Sequence, residues 1–251
     1  MPYANNRGFR IYYEVEGVGP PLILHHGTFG SGQDWRHFGY VDALKGNRRV
    51  ILLDARGHGA SDKPHDPDRY DLHSRTRDVI VVLDELGFSQ ADYFGYSMGG
   101  WIGFGLAKYS PGRIRSMILG GAHPYAENMQ SFRDLIPQES ATFIAMMEQV
   151  FGSHLTPAVR TDLLANDLRA LLALTQDRTS LAEVLPTMTM PCLLFDGELD
   201  PRVRRVQECA RAIAIGMFFS LPQCTHVATL VRSDLVLPRV QSFLTRYAPS
   251  G

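Results

Sequence analysis

Ser97 stands in Gly95-Tyr96-Ser97-Met98-Gly99, a serine flanked at two residues on either side by glycine. A serine hydroxyl is a poor nucleophile until a base removes its proton, and the base serves best when an acid fixes its tautomer. Both partners follow in the chain, Asp200 in Gly197-Glu198-Leu199-Asp200 and then His226 in Cys224-Thr225-His226. G-x-S-x-G alone is weak evidence, because with Gly and Ser each near 7% it arises by chance in roughly one chain in ten of this length. Its surroundings strengthen it. Asp92-Tyr93-Phe94 before it is strand-like and 101–107 after it is helix-like, the strand-turn-helix setting that exposes a hydroxyl at a strained turn. Asp196 and Glu198 compete with Asp200 as the acid, and the plainer role for Asp200 is to cap a helix starting near Pro201. Of the nine histidines, His226 alone follows the last strand with a serine turn and a candidate acid upstream.

The elements that must carry these residues are legible as alternation. Short apolar, β-branched runs at 10–15, 21–25, 49–54, 91–96, 116–120, 192–196 and 217–221 read as strands. Several, such as Val50-Ile51-Leu52-Leu53, are apolar on both faces, as expected of a sheet covered on both sides. Between them 72–86 has helical spacing, with Asp71 as N-cap and Gly87 just past the end, and 202–215 and 233–247 read as the helices after the last two strands. The alternation is that of βαβ units around a mostly parallel sheet. From Ala122 to Pro186 it breaks down into apolar helical patterns without a strand. We read 122–166 as a helical cap inserted after the sixth strand, on a core formed by 1–121 and 167–251.

Composition narrows the function classes. With 251 residues, 45% hydrophobic and 20% charged, the chain fits one large α/β domain. A net charge of -1, with 25 basic and 26 acidic residues scattered along the chain, supplies no basic patch for nucleic acid or an anionic membrane. No apolar run approaches the roughly 18 residues of a membrane span, and the N-terminal residues lack the apolar core of a secretory signal, so a cytoplasmic protein is expected. Cys192, Cys209 and Cys224 show no metal spacing and read as reduced, buried thiols. His25, His26 and His58 sit on different loops beside glycines and read as loop-ordering residues rather than metal ligands. Without G-x-G-x-x-G or a phosphate loop, no nucleotide cofactor is expected, and none of any other kind.

Taken jointly, these motifs resemble the α/β-hydrolase superfamily over nearly the whole chain outside the insertion. His26-Gly27 after an early strand is similar to the family's oxyanion loop, Asp54-Ala55-Arg56-Gly57-His58-Gly59-Ala60-Ser61 to its D-x-R-G-x-G-x-S turn, and Gly197-Glu198-Leu199-Asp200 to its acid loop. The resemblance implies a catalytic Ser97, Asp200 and His226, with an oxyanion hole of the Met98 N–H and that of Thr28 or its neighbour Phe29, Thr28 being preferred. Two departures stand out: the proline often found after His-Gly is absent, and Thr225 replaces the glycine that often precedes the histidine. Serine at the turn disfavours the haloalkane dehalogenase and epoxide hydrolase chemistries, and Val227 in place of an aromatic disfavours cleavage of diketones.

The implied activity is cofactor-independent hydrolysis of a carboxylic ester of a small molecule, by a monomer or homodimer. Lactonase, thioesterase, perhydrolase, carbon-carbon hydrolase, lyase and non-catalytic receptor are the alternatives. Phe29, Tyr96, Trp101, Phe143 and Met147 are the candidate pocket residues. Residues 122–186 carry eight carboxylates against four arginines, a balance that predicts a neutral substrate.

Overall fold

The computed structural model describes residues 2–137, 139–151 and 155–248. Within the expected cap, residues 138 and 152–154 lie outside the described residues, as do the two chain ends. The chain opens with β1 (Tyr3–Asn6), β2 (Phe9–Glu16) and β3 (Pro21–His25), then short helices α1 (Asp34–His37) and α2 (Tyr40–Leu44). Next come β4 (Arg49–Leu53), α3 (Leu72–Glu85), β5 (Ala91–Tyr96), α4 (Met98–Tyr109) and β6 (Ile114–Gly120). Four helices follow without a strand, α5 (Gln130–Asp134), α6 (Ser140–Phe151), α7 (Pro157–Leu164) and α8 (Leu168–Leu174). The chain closes with β7 (Cys192–Gly197), α9 (Val203–Ala212), β8 (Gly216–Leu221), α10 (His226–Val231) and α11 (Ser233–Arg246).

Among the described residues the strands form one eight-stranded sheet in the order β1-β2-β4-β3-β5-β6-β7-β8, in which β2 runs antiparallel to both its neighbours β1 and β4 and the other pairings are parallel. Its two faces feed two cores because neighbouring strand residues point to opposite sides. Ile23, Ile51, Leu53 and Tyr93 pack with α3 and α4, whereas Leu22, Leu24, Val50, Leu52 and Phe94 pack with Trp35, Tyr40 and α11. That two-sided burial is why the strands read as continuous apolar runs.

Strand β1 was not expected from the sequence. It is four residues long, and its polar Asn5 and Asn6 hide any apolar alternation. A tight turn with positive φ at Arg7 and Gly8 pairs it with β2, and Asn6 is buried only because Asp78 of α3 accepts its side-chain N–H at 2.6 Å. Helix α3 follows its reading closely, the Asp71 side chain accepting the Ser74 N–H at 2.9 Å. Helix α9 is shorter than the expected 202–215, since Ile213 is already extended and leads into β8.

One buried charge cluster ties the sheet together away from the loops that carry Ser97, Asp200 and His226. Asp92 on β5 is 1% exposed, and it accepts from Arg48, Arg115 and Ser116. Arg48 donates in turn to the Leu244 carbonyl of α11 at 2.7 Å. Truncating one member leaves the others buried and uncompensated. Asp92→Ala should therefore lose about 3–5 kcal/mol of stability, read from the midpoint of urea unfolding. A loss below about 1 kcal/mol would show that the cluster is solvated.

Candidate functional site

Strand β5 ends at Tyr96, and α4 begins at Met98, so Ser97 alone makes the turn between them. Its backbone sits at φ 53 and ψ -108, a conformation that costs a residue with a side chain on the order of 1–3 kcal/mol. The surrounding chain has no room for side chains. A Cβ on Gly95 would lie 2.4 Å from the Gly99 carbonyl oxygen, and one on Gly99 would lie 2.2 Å from that of His25. The Ser97 N–H donates to the Gly120 carbonyl at 2.8 Å, pinning the turn to β6.

His226 and Asp200 converge on this hydroxyl from neighbouring strand ends. His226 Nε2 lies 3.0 Å from Ser97 Oγ, and Nδ1 lies 2.5 Å from Asp200 Oδ2. A carboxylate accepts and does not donate, so Nδ1 carries the proton and Nε2 faces the hydroxyl as acceptor. Burial raises the Asp200 carboxyl, but the hydrogen bond and charge of His226, with the Arg202 N–H and guanidinium, outweigh it and hold Asp200 low. Asp196, fully buried beside it, is pushed up by burial and by the Asp200 charge, so the pair holds a single negative charge. Asp200 does not cap α9, whose N-cap is Arg202; its Oδ1 accepts the Arg202 N–H at 2.9 Å in the turn before the helix, while Oδ2 bonds His226.

The departure at Thr225 has a structural use. His226 is the first residue of α10, and Thr225 is its N-cap. The loops that carry Asp200 and His226 are tied to each other, with the Leu199 N–H donating to the Cys224 carbonyl at 3.0 Å. Tyr96, expected as pocket lining, also donates its hydroxyl to the His226 carbonyl at 2.5 Å with its ring against the imidazole.

The loop after β3 lies against Ser97. A Cβ on Gly27 would sit 3.2 Å from that of Ser97, and His26 accepts the Gly99 N–H at 3.1 Å. Met98 follows Ser97 at the start of α4, where N–H groups have no carbonyl one turn back. Phe29 has a φ of 74, and its carbonyl accepts from Asn166 at 2.8 Å, fastening this loop to the segment after α7. The histidines of the neighbouring loops tie them together: His25 bonds the Tyr93 hydroxyl at 2.7 Å and His26 accepts the Ala55 N–H at 3.0 Å. Burial holds His25 and His58 well below the usual histidine range. In the Asp54 to Ser61 turn, Asp54 accepts from Gly32 and Ala60, and Arg56 pairs with Asp78.

A cavity of about 210 Å³ opens on Ser97 and His226. Of the candidate pocket residues Phe29, Tyr96 and Met147 line it, and so does Thr28, the candidate oxyanion donor. Phe132, Val150, Phe151 and Leu163 add to the apolar wall; Val150 and Phe151 follow Met147 at helical spacing on α6, which was the available signal. Phe143 is not in the wall. It is buried one layer back, edge-on to Phe29 at 5.4 Å. Trp101 is not there either, and lines a second cavity with Met98.

The acidic balance of 122–186 reaches this pocket through Asp162, which lines it together with Asp34 and Arg202. Several of its carboxylates are paired, and much of the pairing comes from outside the segment: His37 with Asp162, His65 with Asp167, Lys108 with Glu183 and Arg202 with Glu127. Within it, Arg133 pairs with Asp177, Arg160 with Glu148 and Arg178 with Glu127. As for metal-binding capacity, donor atoms of Asp196, Asp200 and His226 lie within 4.8 Å of one another. Those of Asp200 and His226 are the ones that bond to each other at 2.5 Å.

Fold and site together define the class. The alpha/beta hydrolase fold model matches residues 20–209, and the chain belongs to that family. Among curated relatives it is 36% identical over 119 residues to a putative carbamate hydrolase RutD of Azorhizobium caulinodans, a match covering 47% of this chain and 43% of that one. It is 25% identical to a putative 2-succinyl-6-hydroxy-2,4-cyclohexadiene-1-carboxylate synthase of Bacillus subtilis, over 94% of this chain and 95% of that one. Among solved structures, a hydrolase from Pseudomonas aeruginosa PA01 superposes with a TM-score of 0.85 at 25% identity, over 97% of both chains.

The half-buried Asp34 carboxyl lies on the pocket wall against Gly30, raised from 3.8 to about 7 by burial and then by the Asp162 charge. The folded protein therefore holds a proton there that the unfolded chain has lost, and stability falls as pH rises from about 4 to about 7. Asp34→Asn, neutral throughout, should gain melting temperature relative to the parent across that window and hold the gain above it. A difference independent of pH would show that Asp34 is ionised in the fold at acid pH.

Proposed function

We propose that the chain is a serine hydrolase of carboxylic esters that works through an acyl-enzyme. The observation that supports this best is the continuous relay from Ser97 Oγ through His226 to Asp200, at 3.0 and 2.5 Å. In this reading His226 Nε2 takes the Ser97 proton as the oxygen attacks the ester carbonyl. The N–H groups of Met98 and Thr28 hold the oxyanion, aided by the N-terminus of α4 behind it. His226 then passes its proton to the leaving alcohol. Water, deprotonated by the same imidazole, releases the acid and restores Ser97. Asp200 stays ionised throughout and keeps the proton on Nδ1, with Tyr96 bracing the ring from behind.

The apolar wall of α6 and α7 suits an uncharged acyl or alkyl group of modest length, since about 210 Å³ of cavity holds only a small one. No metal or nucleotide enters the scheme. Among the described residues no helix is long and apolar enough to cross a membrane. Three buried free thiols accord with a cytoplasmic protein acting on a small molecule, as a monomer or homodimer.

A fluorophosphonate should label Ser97 and no other serine, and Ser97→Ala or His226→Ala should each lower kcat/KM on an activated ester by roughly 10⁴. Labelling of Ser97→Ala at the parent rate would remove the nucleophile assignment. Turnover should also persist in EDTA; a loss that added metal restores would make the Asp196, Asp200 and His226 cluster a metal site instead.

A further inference from the structure

A second cavity, of about 460 Å³, lies on the other side of the Thr28 loop from the apolar pocket, and Thr28 lines both. Met98 and Trp101 of α4 line it, with Arg75 of α3 and Arg178 from the strand-free segment. The two guanidinium groups press on the same indole, with Cζ of Arg178 4.8 Å and that of Arg75 5.9 Å from the Trp101 ring centroid. Arg75 is only 6% exposed. Among the described residues it has no carboxylate within salt-bridge distance, its polar contact being the Leu174 carbonyl at 3.1 Å. Asp78, one turn along α3, is occupied by Arg56 and Asn6. Arg178 shares its one carboxylate, Glu127, with Arg202.

A buried cation without a counter-charge is expensive, and a guanidinium offers five N–H donors in a fork that matches a carboxylate. The acidic residues of the same cavity are otherwise engaged or exposed. Asp71 caps α3 through Ser74, Asp177 accepts from Arg133 and the Met129 N–H, and Asp68 is exposed. Burial and the like charge of Arg178 pull the Arg75 guanidinium down to about 10, against the opposing pull of Tyr70 and Asp78.

We propose that this cavity is a carboxylate subsite, and that the substrate is an ester with a free carboxylate on the side opposite its apolar group. The proposal rests on the ester-hydrolase reading for its substrate, though not for its binding site. An apolar part enters beside Phe29 and Met147, the scissile carbonyl sits at Ser97, and the carboxylate reaches Arg75 with Arg178 beside it. The cap's charge count pointed the other way because it could not register these two arginines as neighbours.

The test compares an aryl monoester of glutaric acid with the matched aryl pentanoate. In the parent, the ratio of kcat/KM for the acid ester to that for the neutral ester should exceed one and shrink as salt rises. Arg75→Met should lower the ratio at least tenfold, Arg75→Lys should restore part of it, and Arg178→Gln should lower it as well. Glutarate binding to Ser97→Ala, followed by the fluorescence of Trp101 in a Trp35→Phe background, gives a second readout that needs no turnover. Binding that weakens at least tenfold with Arg75→Met supports the subsite even if the parent cleaves neither ester, in which case only the hydrolase reading fails. Cleavage of both esters with a ratio unmoved by all three arginine variants, and glutarate binding indifferent to Arg75, would overturn the subsite and leave the hydrolase reading intact.

Discussion

The backbone of Ser97, held at a positive φ that its side chain disfavours, is the constraint around which the rest of the molecule is arranged. Such a turn survives only where its surroundings determine it fully. Here β5 fixes one side and α4 the other, β6 accepts the serine N–H, and the loop after β3 presses on it from above. The glycines at 95 and 99 matter because the chain passes within carbonyl contact of them. The same closeness brings the start of α4 and the Thr28 loop to one point, where a developing oxyanion would need them.

Charge is managed differently in different parts of the molecule. At Asp92 three donors satisfy one buried carboxylate, and the cluster serves stability. At Asp196 and Asp200 two carboxyl groups share one charge, which keeps His226 oriented without burying two anions together. At Arg75 a buried cation goes unmatched among the described residues. Its guanidinium lies over the Trp101 ring and donates to the Leu174 carbonyl.

The helical segment between β6 and β7 makes two contributions. It closes the apolar pocket with Met147, Val150 and Phe151 from one helix, and it brings Arg178 beside Trp101. It is anchored to the rest of the chain by the hydrogen bonds of His37 with Asp162 and His65 with Asp167, and by Asn166 holding the Phe29 carbonyl.

Local patterns were enough to expose the parallel sheet, the α3 boundaries and the order of Ser97, Asp200 and His226, because these depend on residues adjacent in the chain. A two-sided apolar strand, a capping aspartate and a glycine on each side of a serine each carry their own physical cause. Strand β1 escaped notice because its pairing, not its composition, makes it a strand. Phe143 and Trp101 were aromatic residues of the right kind in the right segments, but which layer a side chain occupies is set by packing between elements distant in sequence. The net charge of 122–186 was countable, yet the contacts its carboxylates make with His37, His65, Lys108 and Arg202 were not, since those partners lie as many as 125 residues away. Sequence by itself determined the chemistry available and the scaffold that presents it. Only the tertiary structure decided which charges are matched, which aromatics reach the pocket and where a lone arginine waits, because those are properties of contacts between elements and not of any one of them.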